Sequence, residues 1–177
     1  MGTERALSSN GTVEGQEFWR EAYDTHARGL HRYLARVTGD ADLASDLVQE
    51  VFVHAIRSKR MPAADEARFW LYRIASNAAK DYLRRARRRY WLFMFPSTPT
   101  VVPDSSERLA EGDLVAQCLR DIPVDQAIAL VLRLHEGFST RETAFLLDIG
   151  EEAVRSRLAR GRVNFAAAYR RQGRFER

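Results

Sequence analysis

Cysteine is almost missing from this chain of 177 residues. Cys118 stands alone, so neither an intramolecular disulfide nor a thiolate metal cluster can form, and a reducing cytoplasm is the expected compartment. Long apolar runs are missing too. The longest aromatic-rich run, Tyr90 to Phe95, is far below the ~20 residues that cross a bilayer, so no membrane insertion is expected. The opening, MGTERALSSNGTVEGQ, lacks the apolar core of a secretory signal and is expected to be a flexible lead-in over residues 1–16. Three of the five prolines fall in one stretch, Phe93 to Arg108, which interrupts helical periodicity on both sides. No stretch alternates polar and apolar residues as a half-buried strand does, which leaves an all-α fold.

What the chain has in quantity is arginine. The net charge is +4 and the sequence pI about 9.6. The positive residues are clustered: Lys80, Arg84, Arg85, Arg87, Arg88 and Arg89 lie close together, and Arg155, Arg157, Arg160 and Arg162 form a second set. Two separated basic patches suggest two contacts with a polyanion.

The first patch belongs to Phe69–Arg89, FWLYRIASNAAKDYLRRARRR, a stretch free of proline and glycine. On a 3.6-residue period Leu71, Ile74, Ala75, Ala78 and Tyr82 share one stripe, expected to be core. Trp70, Arg73, Asn77, Lys80 and Arg84 share another, expected to be the working face. Aromatic rings take stacked bases at ~1–3 kcal/mol each, and arginines neutralise phosphates with release of counterions, so the pattern suits single-stranded nucleic acid. An ordinary amphipathic helix with a solvated basic face has the same composition.

Before this helix, residues 17–37 carry apolar side chains at helical spacing, and Gly39 with Asp40 and Asp42 supplies a stop and a fresh N-cap. A second helix over about 41–58 buries Leu43, Leu47, Val48, Val51, Phe52 and Ala55 and leaves Asp42, Asp46, Gln49 and Glu50 on or beside its outer face. Arg60, Met61 and Pro62 break it. After the proline-rich stretch, one helix runs through Leu114, Cys118 and Leu119, and another from Pro123 to Gly137. Ser139-Thr140-Arg141-Glu142 fits a capping box. Asp148, Ile149 and Gly150 then turn the chain into a helix that points Val154 and Leu158 inward and Arg155, Ser156, Arg157, Arg160 and Arg162 outward. This is a helix-turn-helix with a basic recognition helix. Gly161 lies inside that helix, where it costs ~1 kcal/mol relative to alanine.

Three segments, DLVQEVF (Asp46–Phe52), FWLYRIASNAAKDYLRR (Phe69–Arg85) and GFSTRETAFLLDIGEEAVRSRLARGR (Gly137–Arg162), occur in this order with the proline-rich linker between the second and third. Over about residues 17–169 the chain resembles the bacterial extracytoplasmic-function (ECF) sigma factors of the sigma-70 family. The resemblance implies two small helical domains joined by a flexible linker: 17–92 as sigma domain 2, 93–108 as linker, 109–172 as sigma domain 4 and 173–177 as a tail. It implies a non-enzymatic function without cofactor: binding of core RNA polymerase, recognition of the minus-thirty-five and minus-ten promoter elements, and promoter melting. Asp46, Gln49 and Glu50 would face the polymerase clamp helices. Arg60, Phe69, Trp70, Arg73, Asn77, Lys80 and Arg84 would capture the minus-ten element. Arg141, Arg155, Ser156, Arg157, Arg160 and Arg162 would read the minus-thirty-five element as duplex. The linker would thread into the polymerase near the template strand and the RNA exit path. An anti-sigma factor is the further expected partner, with Tyr90, Trp91, Leu92, Phe93, Met94 and Phe95 a candidate part of its interface. Glu152 and Ala153 depart from the Gly-Thr common in the family at the start of the recognition helix, bringing a carboxylate close to the phosphates. Asp148-Ile149-Gly150 likewise replaces the frequent Gly-Ile-Ser.

Two other classes share parts of the pattern. Asp46, Glu50 and His54, at i, i+4 and i+8, could begin a metal site, although the spacing matches no standard ligand motif. A stand-alone helix-turn-helix regulator would share the recognition helix, but would have no use for DLVQEVF and the aromatic-basic helix together.

Overall fold

The first corner of the chain follows from two adjacent residues. Gly39 takes the left-handed conformation (φ 73°) that ends the preceding helix, its N–H donating to Ala35 O. Asp40 then caps the next helix, its carboxylate accepting from the N–H groups of Asp42 and Leu43, both at 3.0 Å. The computed structural model describes residues 12–58, 61–93 and 111–172. Among them are seven α-helices and no strand, as the missing alternation predicts.

Helices α1 (Val13–Thr38), α2 (Ala41–Arg57) and α3 (Ala67–Phe93) form the first unit. α1 begins inside the stretch expected to be a flexible lead-in, because Thr12 caps it by accepting from Gly15 N–H at 3.2 Å. Leu30, Tyr33, Leu34 and Val37 of α1 meet Leu47, Val51 and Phe52 of α2 and Leu71 and Ala75 of α3 in the core. The buried arc of α3 differs from the expected stripe. Leu71 and Ala75 are buried as expected, but Tyr72, Ser76 and Ala79 are buried with them, while Ile74, Ala78 and Tyr82 are half-buried. Two neighbours cause the rotation, since α3 packs against α1 and α2 on one side and against the second unit on another. Ser76 Oγ donates to Tyr72 O at 2.7 Å, so its single proton is committed. The hydroxyl of the fully buried Tyr33 therefore donates to Ser76 Oγ, also at 2.7 Å.

The second unit comprises α4 (Glu111–Arg120), α5 (Val124–Leu130), α6 (Thr140–Leu147) and α7 (Glu151–Gln172). α5 runs on into a π-helical turn, Val131–His135, which periodicity did not signal, closed by Glu136 N–H donating to Val131 O at 3.0 Å. Gly137 (φ 79°) then reverses the chain and delivers Phe138 to the core. The turn between α6 and α7 takes its left-handed residue from Asp148 (φ 53°). Gly161 has a packing reason: a Cβ there would lie 3.1 Å from Leu130 Cδ1 and 3.3 Å from Gln126 Cβ, so its absence lets α7 close on α5. Arg60 and the linker core, residues 94–110, lie outside the described residues, as do the side chains of the aromatic run from Tyr90 to Phe95.

The burial pattern sets an order of unfolding costs. Leu71→Ala should lower stability by ~2–5 kcal/mol, Ile74→Ala by less because its side chain is half-exposed, and Tyr33→Phe by ~1 kcal/mol for one lost hydrogen bond. Urea denaturation of the three variants checks that order.

Candidate nucleic-acid interface

α2 carries Asp46, Gln49 and Glu50 on its exposed face, as the periodicity predicts. Val53 and Ile56, each 45% exposed, continue the same face by one and two turns, and Tyr23 lies nearby with its ring 4.9 Å from Phe52. Sequence reasoning missed this apolar extension, although the i, i+3, i+7, i+10 spacing of 46, 49, 53 and 56 encodes it. Glu50 and His54 also line a small cleft of about 210 Å³ with Asn77 and Asp81. Among the described residues, no three His, Cys, Asp or Glu side chains are grouped so as to hold a metal ion.

The expected working face of α3 divides into three directions. Trp70 turns toward its own unit, its ring 5.7 Å from that of buried Trp19. Asn77 is exposed at the α2 side. The remaining side chains meet the second unit. Phe69 lies 5.4 Å from Phe138, Arg73 lies over the Phe145 ring at 5.6 Å, and Lys80 and Arg84 pair with Asp125 at 3.5 and 3.3 Å. Pro62, Glu66, Phe69, Trp70, Arg73 and Phe145 enclose a cleft of about 330 Å³. The stripe expected to face solvent is thus largely a contact surface, because the second unit packs along it. Neighbouring Arg68 lies 4.3 Å over Phe138 and donates from Nη2 to Glu136 O at 2.8 Å. Tyr72 donates its hydroxyl to Glu136 Oε2 at 2.6 Å; burial first and the adjacent carboxylate second push its pKa well above the ordinary phenol range, so it stays a donor.

The helix-turn-helix, α6 and α7, is built by the capping box read from the sequence. Glu142 N–H donates to Ser139 Oγ at 3.1 Å, and Ser139 N–H donates to Glu142 Oε2 at 2.6 Å. These Ser139 contacts, the backbone N–H first, hold the Glu142 carboxyl below its usual range. On α7, Arg155 pairs with Glu151 at 3.0 Å and with Glu152 at 3.1 Å, so the departure at Glu152 gives this exposed guanidinium a second carboxylate partner. Arg160 donates to Ser156 Oγ at 2.9 Å. Arg157 is mostly covered and points toward Asp125, 3.9 Å away, which differs from its expected outward position. Arg141 and Arg162 are exposed. Arg162 borders an apolar cleft of about 350 Å³ between α1, α4, the π-helical turn and α7.

A helix-turn-helix with a basic second helix, together with a separate helix of aromatics and arginines, suits contact with nucleic acid. Residues 22–89 match the family described as Sigma-70 region 2, and residues 112–164 match Sigma-70, region 4. The ECF RNA polymerase sigma factor SigL of Mycobacterium tuberculosis is 33% identical over 144 residues, 78% of this chain and 81% of SigL. SigM of the same organism is 34% identical over 154 residues, 82% of this chain and 74% of SigM. Among solved structures, the sigma factor RpoE of Bartonella quintana, crystallised with the anti-sigma factor NepR, superposes with TM-score 0.66 over 86% of this chain and 96% of RpoE; at 20% identity it bears on the fold. The chain belongs to the ECF sigma factors of the sigma-70 family and is an RNA polymerase sigma factor.

The capping box gives a pH dependence with a definite sign. Glu142 has a folded pKa below its ordinary 4.5, so its stabilisation is complete above that value and is lost as pH falls through the folded value. Wild type and Glu142→Ala should therefore differ in melting temperature near neutrality and converge between about pH 5 and pH 3. A constant difference across that range would contradict the assignment.

Proposed function

We propose that this chain binds core RNA polymerase through the α2 face, reads the minus-thirty-five element through α7 and holds the minus-ten strand on α3 during promoter opening. On this reading residues 17–92 and 109–172 act as sigma domains 2 and 4, in the cytoplasm, with an anti-sigma factor as regulator. The observation that carries the proposal is the co-occurrence of two cation-rich helices, α3 and α7, with an acidic and apolar strip on α2. Asp46, Gln49 and Glu50 run into exposed Val53 and Ile56, a mixed acidic and apolar strip suited to a helical partner with basic side chains. The cations of α3 and α7 suit phosphates, and Phe69 and Trp70 border a cleft of about 330 Å³. On this reading Arg155 and Arg160 of α7, paired with Glu151, Glu152 and Ser156, would meet the duplex together with exposed Arg141 and Arg162.

Two measurements divide the proposal. Asp46→Arg with Glu50→Arg leaves the buried face of α2 intact, so far-UV circular dichroism should not change while co-elution with core polymerase is lost. Undiminished co-elution would remove the polymerase from this face. Asn77→Ala with Lys80→Ala should keep polymerase binding yet fail to open the promoter, and a pre-melted bubble template should restore much of the transcription. Normal permanganate reactivity of promoter thymines in that variant would take these residues out of the melting site.

A further inference from the structure

The apolar cleft beside Arg162 carries charge of one sign. Val115, Leu119, Leu130, Val131, Leu134 and Phe165 wall its space of about 350 Å³, and the arginines that line it are Arg36 of α1 and Arg162 of α7. Among the described residues no aspartate or glutamate lines it. His135 shares the rim, but its Nδ1 is already paired with Glu136 Oε1 at 2.7 Å, so the positive charge rests on the two arginines. Arg36 Nη1 is buried and has no hydrogen-bond partner. A buried donor of a charged group left unpaired is more costly than a neutral one, and an anionic acceptor relieves that penalty. As a residue Arg36 is only partly buried, so rotation about its terminal torsions suffices to turn Nη1 toward an acceptor in the cleft.

We propose that this cleft is a binding site for a small amphipathic carboxylate, a straight-chain fatty acid of about eight to ten carbons, whose headgroup pairs with Arg36 and Arg162 and whose chain lies along the apolar wall. The size follows from the space. At ~30 Å³ for each water-sized group, the cleft of about 350 Å³ takes roughly a dozen non-hydrogen atoms. It does not take an α-helix, which is ~10–12 Å across with its side chains, so the occupant is a small molecule in solution and not a segment of a partner chain. The headgroup follows from the charge. A carboxylate offers two oxygens to a guanidinium fork, whereas an alcohol brings no charge and an ammonium is repelled by both arginines. The proposal uses neither the polymerase assignment of α2 nor the strand assignment of α3, and meets the reading of duplex only at Arg162.

Isothermal titration calorimetry of the full chain with sodium decanoate, held below its micellar concentration, tests this. One decanoate should bind per chain with a Kd below about 1 mM. Octanoate should bind ~10-fold more weakly, because two buried methylenes are lost, and decylammonium should give no binding heat. Arg36→Gln should weaken decanoate binding by ~10-fold or more through loss of the charged donor. Leu134→Asp, at a side chain 59% exposed and therefore outside the core, should weaken it by a similar factor by placing a carboxylate in the wall. Far-UV circular dichroism of both variants should match wild type; if Arg36→Gln alone loses helicity, Leu134→Asp decides. Undiminished decanoate binding by either folded variant overturns the proposal. Decylammonium bound as well as decanoate, or several decanoates per chain, overturns it too, because the heat then reports adsorption of a detergent. So does the absence of any binding by wild type up to about 1 mM.

Discussion

Phe138 is where the two helical units become one body. Gly137 turns it out of the end of the π-helical segment, and it inserts between Phe69 and Tyr72 of α3, at 5.4 and 5.1 Å, with Arg68 stacked over it. The ring is 1% exposed, so the second unit cannot leave α3 without hydrating a whole aromatic side chain and two aromatic neighbours. Around it Glu136 accepts from Tyr72 and from Arg68, which places a polar clamp beside an apolar one. Asp125, Phe145 and Arg120 also touch across the units and are more exposed to water than Phe138.

That arrangement sets the tension in the molecule. On the proposed reading α3 and α7 meet two promoter elements that are far apart on DNA, yet here the two helices share Asp125 between them. Interfaces between domains of one chain are more polar than permanent ones, and relative motion is their default. The contacts at the edge are of that kind, while Phe138 is not. Separation therefore needs a partner that supplies differential binding, since a ligand shifts an equilibrium only by its preference for one of the two states. Core polymerase, which the exposed strip of α2 is suited to meet, is such a partner on the reading advanced here.

Much of each unit was legible in the sequence for identifiable reasons. Gly39 and Asp40, Ser139 and Glu142, and the inward Val154 and Leu158 are local signals, and local chemistry fixes their geometry whatever lies across the molecule. The aromatic-basic helix and the helix-turn-helix were read correctly as elements. Which face of α3 meets water was not, because that depends on contacts 40 to 70 residues away in sequence. Lys80 and Arg84 look like solvated cations until Asp125 is brought to them, and Tyr72 falls on neither of the two stripes read from α3 until Glu136 and Phe138 arrive. Gly161 is the reverse case: it reads as a defect in a helix, and only the approach of Leu130 explains it. The π-helical turn had no signal, since a widened turn leaves the spacing of Val131, Leu132 and Leu134 close to that of an ordinary helix.

The central claim is that one α3 face serves two partners in succession, the second unit in the free chain and the promoter strand in the transcribing complex. Cys118 is buried, so spin labels can be directed to exposed positions by Arg28→Cys on α1 and Val163→Cys on α7. Electron–electron dipolar spectroscopy then reads the separation of the two units. The account predicts one narrow distance in the free chain and a longer one once core polymerase and promoter DNA are added. A broad distribution in the free chain, or the same narrow distance in the transcribing complex, would contradict it.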